Sequence, residues 1–191
     1  MRAFPPADET FRARALAAWR EALQRADSLP PSRLLYDAKF GKGAVKAPGN
    51  LAVVARSDSL TAKATGPLGG ELGAYEDGRF HGKGGESYFL DPQLLRGVLA
   101  GVWRGGQPTV AGADGGEGLL RWQAAGGAVA EGVFDIAAAR LKSLRVKGPS
   151  GEVTVEFSGA FDPWPEGVLL ADIRSGRTLR LRRVAIEAIK E

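Results

Sequence analysis

The sequence predicts a mainly β fold (α+β): an incomplete, strongly curved antiparallel β-barrel of about eleven strands, with an N-terminal helix and a short inserted helix covering its mouth. Three observations predict it. An amphipathic stretch opens the chain, short runs of alternating apolar and polar residues follow, and one further helical stretch interrupts them. So many antiparallel strands must stack or curl to protect their edges. Since no repeat or linker divides the chain, we expect residues 1–191 to form a single domain.

The first predicted element is an amphipathic helix over residues 9–27. Asp8 is suited to cap its start, and Pro30-Pro31 stops it. We expect residues 1–7 to be a flexible segment. The apolar stripe of the helix suits either packing on a sheet or plugging a barrel mouth. The stripe consists of Phe11, Ala15, Trp19, Leu23 and Ala26.

Short strand-like runs occupy most of the remaining chain. The turn signals between the early runs are Ala47-Pro48-Gly49-Asn50, Ser57-Asp58-Ser59 and Asp77-Gly78, the last being the strongest hairpin signal. The glycine-rich stretches 105–118 and 125–127 predict loops. The predicted strands are Leu34–Ala44, Leu51–Arg56, Leu60–Thr65, Glu71–Glu76, Arg79–Gly82, Leu119–Ala124, Gly132–Ile136, Leu141–Lys147, Glu152–Ser158, Val168–Ile173 and Thr178–Ile186.

A second, short apolar-faced helix is predicted over residues 92–103. Asp91 is suited to its N-cap, Pro92 to its first position, and Gly105 lies beyond its end. Because strands precede and follow it, this helix is an insertion rather than a domain boundary.

The composition excludes most metal and nucleophile chemistry. The chain has no Cys and its single His is His81, which rules out zinc clusters, paired-His metal sites and Cys nucleophiles. The motifs G-x-S-x-G, S-x-x-K and G-x-x-x-x-G-K-[ST] do not occur. We therefore expect no enzyme, no catalytic residues, no metal and no cofactor. A residual enzyme alternative would use Asp77 with Glu86, the one carboxylate pair that the sequence offers.

The formal net charge of +4 is spread along the chain. A basic strand carries Arg177, Arg180, Arg182 and Arg183 without interleaved stacking aromatics, so we expect no nucleic-acid partner. That strand suits a solvated face, or a docking surface for an acidic carrier protein or anionic head groups. The sequence has no run of 18 apolar residues.

The most informative segment is a turn made by Gly66, Pro67, Leu68 and Gly69, which places an apolar side chain where turns prefer polar ones. Leu68 would either fold inward as a local plug or stay exposed for contact with lipid. The order of features around it resembles the LolB-like outer-membrane lipoprotein receptors of the LolA/LolB carrier superfamily. The matching features are the first helix, the strand ending in Pro-Leu-Gly, the Asp-Gly hairpin, the short apolar helix and the late stretch Pro165 to Leu181. The resemblance covers most of the chain, from Phe11 to Ile186.

This resemblance implies a lipoprotein-binding domain whose apolar interior receives lipoprotein acyl chains from a LolA-like periplasmic carrier and releases them into the outer membrane. It also implies that residues 66–69 form the membrane-insertion loop, with Leu68 as the inserting residue. The implied location is the periplasmic face of the outer membrane, anchored by a lipid in the full-length protein. The chain departs from the family in its richness in Gly and Ala, and the family's lipidated N-terminal Cys is not in the sequence, so the anchor is inferred.

We expect the acyl-chain cavity to be lined by inward residues of the strands and the inserted helix, namely Val53, Leu60, Leu72, Leu95, Val98, Leu99, Val155 and Phe157. Two alternatives stay open. One is a soluble periplasmic carrier that binds lipoproteins without inserting them, and the other is a structural or sensing lipoprotein with a filled core. In the untruncated reading frame, a signal peptide ending in Cys would favour the receptor, and Ala-x-Ala cleavage the carrier.

Overall fold

The structure is a computed structural model that describes residues 3–56, 59–76, 79–81, 99–123, 127–149 and 151–189. Helix α1 spans Glu9–Asp27. The strands are β1 Ser32–Lys42, β2 Val45–Ala55, β3 Leu60–Thr65, β4 Glu71–Glu76, β5 Arg79–His81, β6 Thr109–Asp114, β7 Glu117–Gln123, β8 Val129–Asp135, β9 Arg140–Gly148, β10 Gly151–Asp162, β11 Trp164–Asp172 and β12 Arg177–Ala188.

All twelve strands form one antiparallel sheet in the order β5-β4-β3-β2-β1-β12-β11-β10-β9-β8-β7-β6. Apart from β5 and β6, strands that are consecutive in sequence pair with each other, and β1 also pairs with β12, so the first and last strands meet at the centre of the sheet. Within the described ranges β5 and β6 remain as two separate edges. The mainly β fold and the incomplete antiparallel barrel are therefore confirmed.

Helix α1 forms as predicted. The backbone nitrogen of Phe11 donates a 2.7 Å hydrogen bond to Oδ1 of Asp8, which caps the helix. Its buried side chains are Ala15, Ala18, Trp19 and Ala22. These join the inward side chains of the strands in one continuous core, among them Leu34, Tyr36, Leu51, Leu120, Trp122, Phe134, Leu144 and Leu181.

Helix α1 lies across one mouth of the curved sheet. Near its start, a Cβ on Gly118 of β7 would be 3.3 Å from the Phe11 ring. Near its end, the Arg25 guanidinium donates a hydrogen bond to the carbonyl oxygen of Ala139 in the β8–β9 turn. Asp27 forms a 2.7 Å ion pair with Arg104. The helix therefore covers the end of the sheet that carries the β8–β9 connection.

The prediction of a turn over residues 47–50 is wrong, because these residues belong to β2. The hairpin turns instead at Gly43 and Ala44, where Gly43 has a φ of 59°. Pro48 fits within the strand because β3 pairs with β2 only from Asn50 onward, so this part of β2 has a free side. Gly49 is required by close approach, since a Cβ there would lie 2.3 Å from the carbonyl oxygen of Thr65.

The loop predicted over residues 105–118 contains β6 and the start of β7. The chain N-terminus packs against this edge strand: the backbone nitrogen of Ala113 donates a 2.8 Å hydrogen bond to the carbonyl oxygen of Pro5. A Cβ on Gly112 would lie 2.6 Å from Cβ of Phe4. Gly112 therefore suits a strand because another segment passes directly over it.

The predicted helix over residues 92–103 falls largely outside the described residues. Residues 100–103 are not helical, and Gly101 has a φ of 67°, which ends any helix before it. The Asp77-Gly78 turn and most of the Ser57-Asp58-Ser59 turn also lie outside the described residues. Glu76 nevertheless pairs with Arg79 across the first of these turns, as the hairpin prediction requires.

Candidate functional site

The turn between β3 and β4 presents Leu68 to solvent. The backbone nitrogen of Gly69 donates to the carbonyl oxygen of Gly66 at 3.0 Å, and the nitrogen of Gly66 donates to the carbonyl oxygen of Gly70 at 2.8 Å. Gly69 has a φ of 78°, which its missing side chain makes easy. The Leu68 residue is 98% exposed. Of the two roles open to it, the inward plug is excluded, and an exposed apolar tip remains.

Leu72, predicted to line the cavity, lies beside this turn. The β3–β4 register shifts so that Ala64 pairs with Gly73 and Thr65 with Glu71, which leaves Leu72 as the extra residue of a bulge. Leu72 is 44% exposed, and its Cδ2 would be 3.6 Å from a Cβ on Gly66. The bulge thus interrupts the alternation on which the prediction rested, and Leu72 extends the apolar surface of the turn.

Two further exposed apolar residues lie at the same end of the sheet. Val45, at the start of β2, is 72% exposed, and Ile173, just after β11, is 57% exposed. Sequence reasoning missed both, although each adjoins a turn containing glycine, the same signal that identified Leu68. We call the end of the sheet formed by residues 43–46, 66–70 and 173–176 the tip end. It is opposite the mouth covered by α1, because antiparallel strands alternate their connections between two ends.

The two carboxylates near the tip end have local hydrogen-bond or ion-pair partners. Asp172 accepts hydrogen bonds from Oγ of Ser175 at 2.6 Å and from the backbone nitrogen of Arg174 at 3.0 Å. These bonds hold the pKa of the Asp172 carboxyl below its usual value. Glu71 is paired with Lys63 at 2.8 Å, and this hydrogen bond raises the pKa of Lys63. The acidic groups here are thus engaged locally.

The predicted cavity residues in the described ranges are mostly buried in the core. Val53, Val155 and Leu99 are fully buried, and Leu60 nearly so. Phe157 is half-buried and packs against the ring of Phe161 at 5.6 Å between centroids. The predicted residues Leu95 and Val98 lie outside the described residues. A pocket of about 30 Å³ beneath the end of α1 is lined in part by Leu60, Leu29, Ala55 and Trp164.

The interior also contains buried hydrogen-bond donors that the sequence did not reveal. Within the described part of the chain, the indole nitrogens of Trp19, Trp122 and Trp164 and the hydroxyl of Tyr36 are buried without a hydrogen-bond partner. Burial raises the pKa of the Tyr36 phenol well above its usual value. An indole N–H can only donate, so any group that satisfies these three indoles must supply a hydrogen-bond acceptor, such as a carbonyl oxygen.

A groove of about 600 Å³ lies on the opposite, outer face of β7 to β10. Ion pairs line it: Arg145 with Glu152 at 2.8 Å and Arg121 with Glu131 at 2.5 Å. The paired Arg145 lowers the pKa of the Glu152 carboxyl. Because these four charges are already paired with each other, they offer little to recognise a charged ligand. The described residues contain no group of three His, Cys, Asp or Glu side chains placed to hold a metal.

In the part of the chain that the structure describes, no helix has the length and apolar character needed to cross a membrane.

Comparison with solved structures identifies the fold. The chain is similar to a LolA superfamily protein from Nitrosomonas europaea, with 11% sequence identity, a TM-score of 0.60, and coverage of 90% of this chain and 94% of that one. A domain assigned to outer membrane lipoprotein sorting from Vibrio parahaemolyticus gives 11% identity and a TM-score of 0.60, covering 92% and 94% of the two chains. A DUF1329 family protein from Desulfovibrio piger gives 9% identity and a TM-score of 0.60, covering 93% and 92%.

No family model matches the chain, and no curated protein matches its sequence. The shared feature is therefore the architecture, a curved antiparallel sheet with a helix against it. The chain has the fold of the LolA superfamily proteins.

Proposed function

We propose that this protein binds the acyl chains of lipoproteins and helps to insert them into the outer membrane from its periplasmic face, with a LolA-like carrier as the donor. The exposure of Leu68 at the tip of a hydrogen-bonded turn carries the proposal. The likeness of the fold to a LolA superfamily protein and to a lipoprotein-sorting domain supports the class of cargo.

Leu68 is built to enter a bilayer. Moving a fully exposed leucine into an apolar environment is worth about 1.5–3 kcal/mol. The backbone bonds between Gly66, Gly69 and Gly70 fix the turn beforehand, so little conformational entropy is lost when it inserts. Leu72 adds apolar area next to it. A purely structural turn would gain nothing from this exposed surface.

The interior suits an acyl chain once α1 separates from the sheet. Val53 and Val155 have no exposed surface, so cargo must replace protein contacts rather than fill an open channel. Of the four buried side chains of α1, only Trp19 is large and the others are Ala. Phe11 and Leu23 of α1 also pack against the core but are only partly buried. An acyl chain that displaced the helix would have to recover the apolar area of these contacts, at about 25 cal/mol per Å². The ester and amide carbonyl oxygens of an acylated cysteine would accept from the buried donors on Trp19 and Tyr36.

To test cargo binding, the protein is purified from its native source without detergent, bound molecules are extracted from it, and mass spectrometry is used to look for acylated cysteine peptides. We expect such peptides with the wild-type protein and with Leu68→Glu, because Leu68 acts in insertion and lies outside the core. Extracts of both proteins without acyl chains would contradict the proposal.

A second candidate function is a structural or sensing lipoprotein with a filled core. The complete burial of Val53 and Val155 favours it, as does the pocket of about 30 Å³ at Leu60, which has room for only about one water molecule. The two functions differ in the same extraction, because a filled scaffold carries no cargo. A carrier that binds lipoproteins without inserting them into the membrane would instead yield cargo in the extraction, and Leu68→Glu would not change its delivery of that cargo.

A further inference from the structure

We propose that the whole tip end is a docking surface for a bilayer containing anionic lipids, in which Val45 and Ile173 enter the interface beside Leu68 and the lysines Lys42 and Lys46 contact the head groups. The inference rests on the proposed function in taking a membrane as the occupant. It deepens that function by naming the lipid class and four further residues.

A hydrogen bond joins two of the three turns of the tip end. The backbone nitrogen of Gly43 donates a hydrogen bond of 3.3 Å to the carbonyl oxygen of Gly176, which joins the β1–β2 turn to the β11–β12 turn. Lys42 pairs in register with both Val45 and Arg177. The β3–β4 turn follows directly from Thr65, against which Gly49 of β2 packs. Three turns therefore present their tips from one end of one sheet.

The apolar exposure is confined to this end among the described turns. Leu68, Val45 and Ile173 are 98%, 72% and 57% exposed. At the opposite end, the described residues of the β2–β3, β6–β7, β8–β9 and β10–β11 connections include no large exposed apolar side chain. Since turns normally carry polar residues, three apolar tips on one end mark a surface that leaves water.

The charges around the three turns indicate which kind of partner this surface binds. Lys42 and Lys46 are exposed, and neither takes part in an ion pair of the described residues. The nearby carboxylates of Asp172 and Glu71 are engaged with Ser175 and Lys63. Residues 42–46, 63–71 and 172–177 together carry five cationic and two anionic side chains, so the net charge of the tip end is positive; they are Lys42, Lys46, Lys63, Arg174 and Arg177 against Glu71 and Asp172. Apolar tips surrounded by lysines match an anionic bilayer, where each cation near the surface adds to binding.

Binding of the full chain to vesicles tests this surface. Vesicles of phosphatidylcholine with and without phosphatidylglycerol are sedimented with wild type, the single variants Val45→Ser and Ile173→Ser, and the double variant Lys42→Glu/Lys46→Glu. We expect tighter binding to the anionic vesicles, a loss of about fivefold for each apolar variant, and a loss of tenfold or more for the lysine variant on anionic vesicles only. Circular dichroism confirms that the variants are folded.

Control variants make the same kinds of substitution outside the tip end, so that a loss of binding can be assigned to the position of the residue. Val184 on β12 is 54% exposed, a fraction similar to that of Ile173, but it lies outside the tip end. Val184→Ser should therefore bind vesicles like wild type. Arg14 and Arg20 on α1 are exposed, and Arg14→Glu/Arg20→Glu changes the net charge equally. Equal losses in the two charge-reversal variants would overturn the proposal.

Two other results would also overturn it while leaving the proposed function intact. In one, Leu68→Glu abolishes vesicle binding and the Val45, Ile173 and lysine variants do not change it. In the other, the lysine variant binds vesicles normally and fails only to receive cargo from the carrier, which would assign this surface to an acidic protein.

Discussion

The backbone nitrogen of Gly43 donates a 3.3 Å hydrogen bond to the carbonyl oxygen of Gly176, and this bond joins the turns that carry Val45 and Ile173. Because β1 and β12 pair next to this hydrogen bond, the two turns lie side by side at the same end of the sheet. The apolar tips are thus supported by the most extensively paired part of the fold, away from the helix that covers the opposite mouth.

The turn after β11 depends on the ionised carboxylate of Asp172. Since hydrogen bonds from Ser175 and Arg174 lower its pKa in the folded protein, its contribution to stability is complete above its unfolded pKa of about 3.9 and is lost as pH falls through the folded value. We expect Asp172→Ala to lower the free energy of unfolding by about 1 kcal/mol at neutral pH. Urea denaturation at neutral and acidic pH measures this. A difference between wild type and variant that persists unchanged well below pH 3.9 would contradict it.

Gly132 on β8 fills a place that only glycine fits. A Cβ there would lie 2.6 Å from Cδ2 of Leu141 and 3.1 Å from Cζ3 of Trp122. We expect Gly132→Ala to reduce the free energy of unfolding by about 1–3 kcal/mol through overpacking. Gly116→Ala is the control, because a Cβ at Gly116 would meet nothing within 4 Å. The denaturation midpoints of the two variants are compared with that of wild type. Equal effects of the two substitutions would contradict the close packing around Gly132.

The buried hydroxyl of Tyr36 gives a third prediction. An unsatisfied buried donor costs about 1–3 kcal/mol, so Tyr36→Phe should leave the cargo-free protein as stable as wild type or more stable. The same substitution should weaken binding of acylated cargo, because it removes a donor to the carbonyl oxygens. Thermal unfolding and cargo titration measure the two effects. A variant that is both less stable and unchanged in cargo binding would assign the hydroxyl a structural role.

Much of the fold could be predicted from local patterns. The helix over residues 9–27 followed from its cap and apolar spacing, and most strands followed from alternation. The unusual turn at Leu68 could also be recognised from the sequence, because an apolar residue between Pro and Gly contradicts ordinary turn chemistry. The sequence left open whether the side chain folds inward, and the structure shows it exposed.

The errors arose where a distant segment decides the local conformation. Gly49 reads as a turn residue, yet it lies in a strand because Thr65 passes over it, and Gly112 lies in a strand beneath Phe4. Leu72 follows the alternation in sequence but falls on a bulge. Close approaches and bulges depend on strand register, which no local pattern encodes. The burial of the donors on Trp19 and Tyr36 and the hydrogen bond that joins the Gly43 and Gly176 turns depend equally on distant segments.

Delivery of a lipoprotein to vesicles tests the central claim most directly. Acylated cargo is transferred from a LolA-like carrier to vesicles by wild type, by Leu68→Glu and by Val184→Glu as the exposed apolar control. We predict that Leu68→Glu remains folded and accepts cargo while its delivery falls at least tenfold, because a carboxylate at the tip cannot enter the bilayer. Val184→Glu should deliver like wild type. Delivery by Leu68→Glu at the wild-type rate would contradict the account.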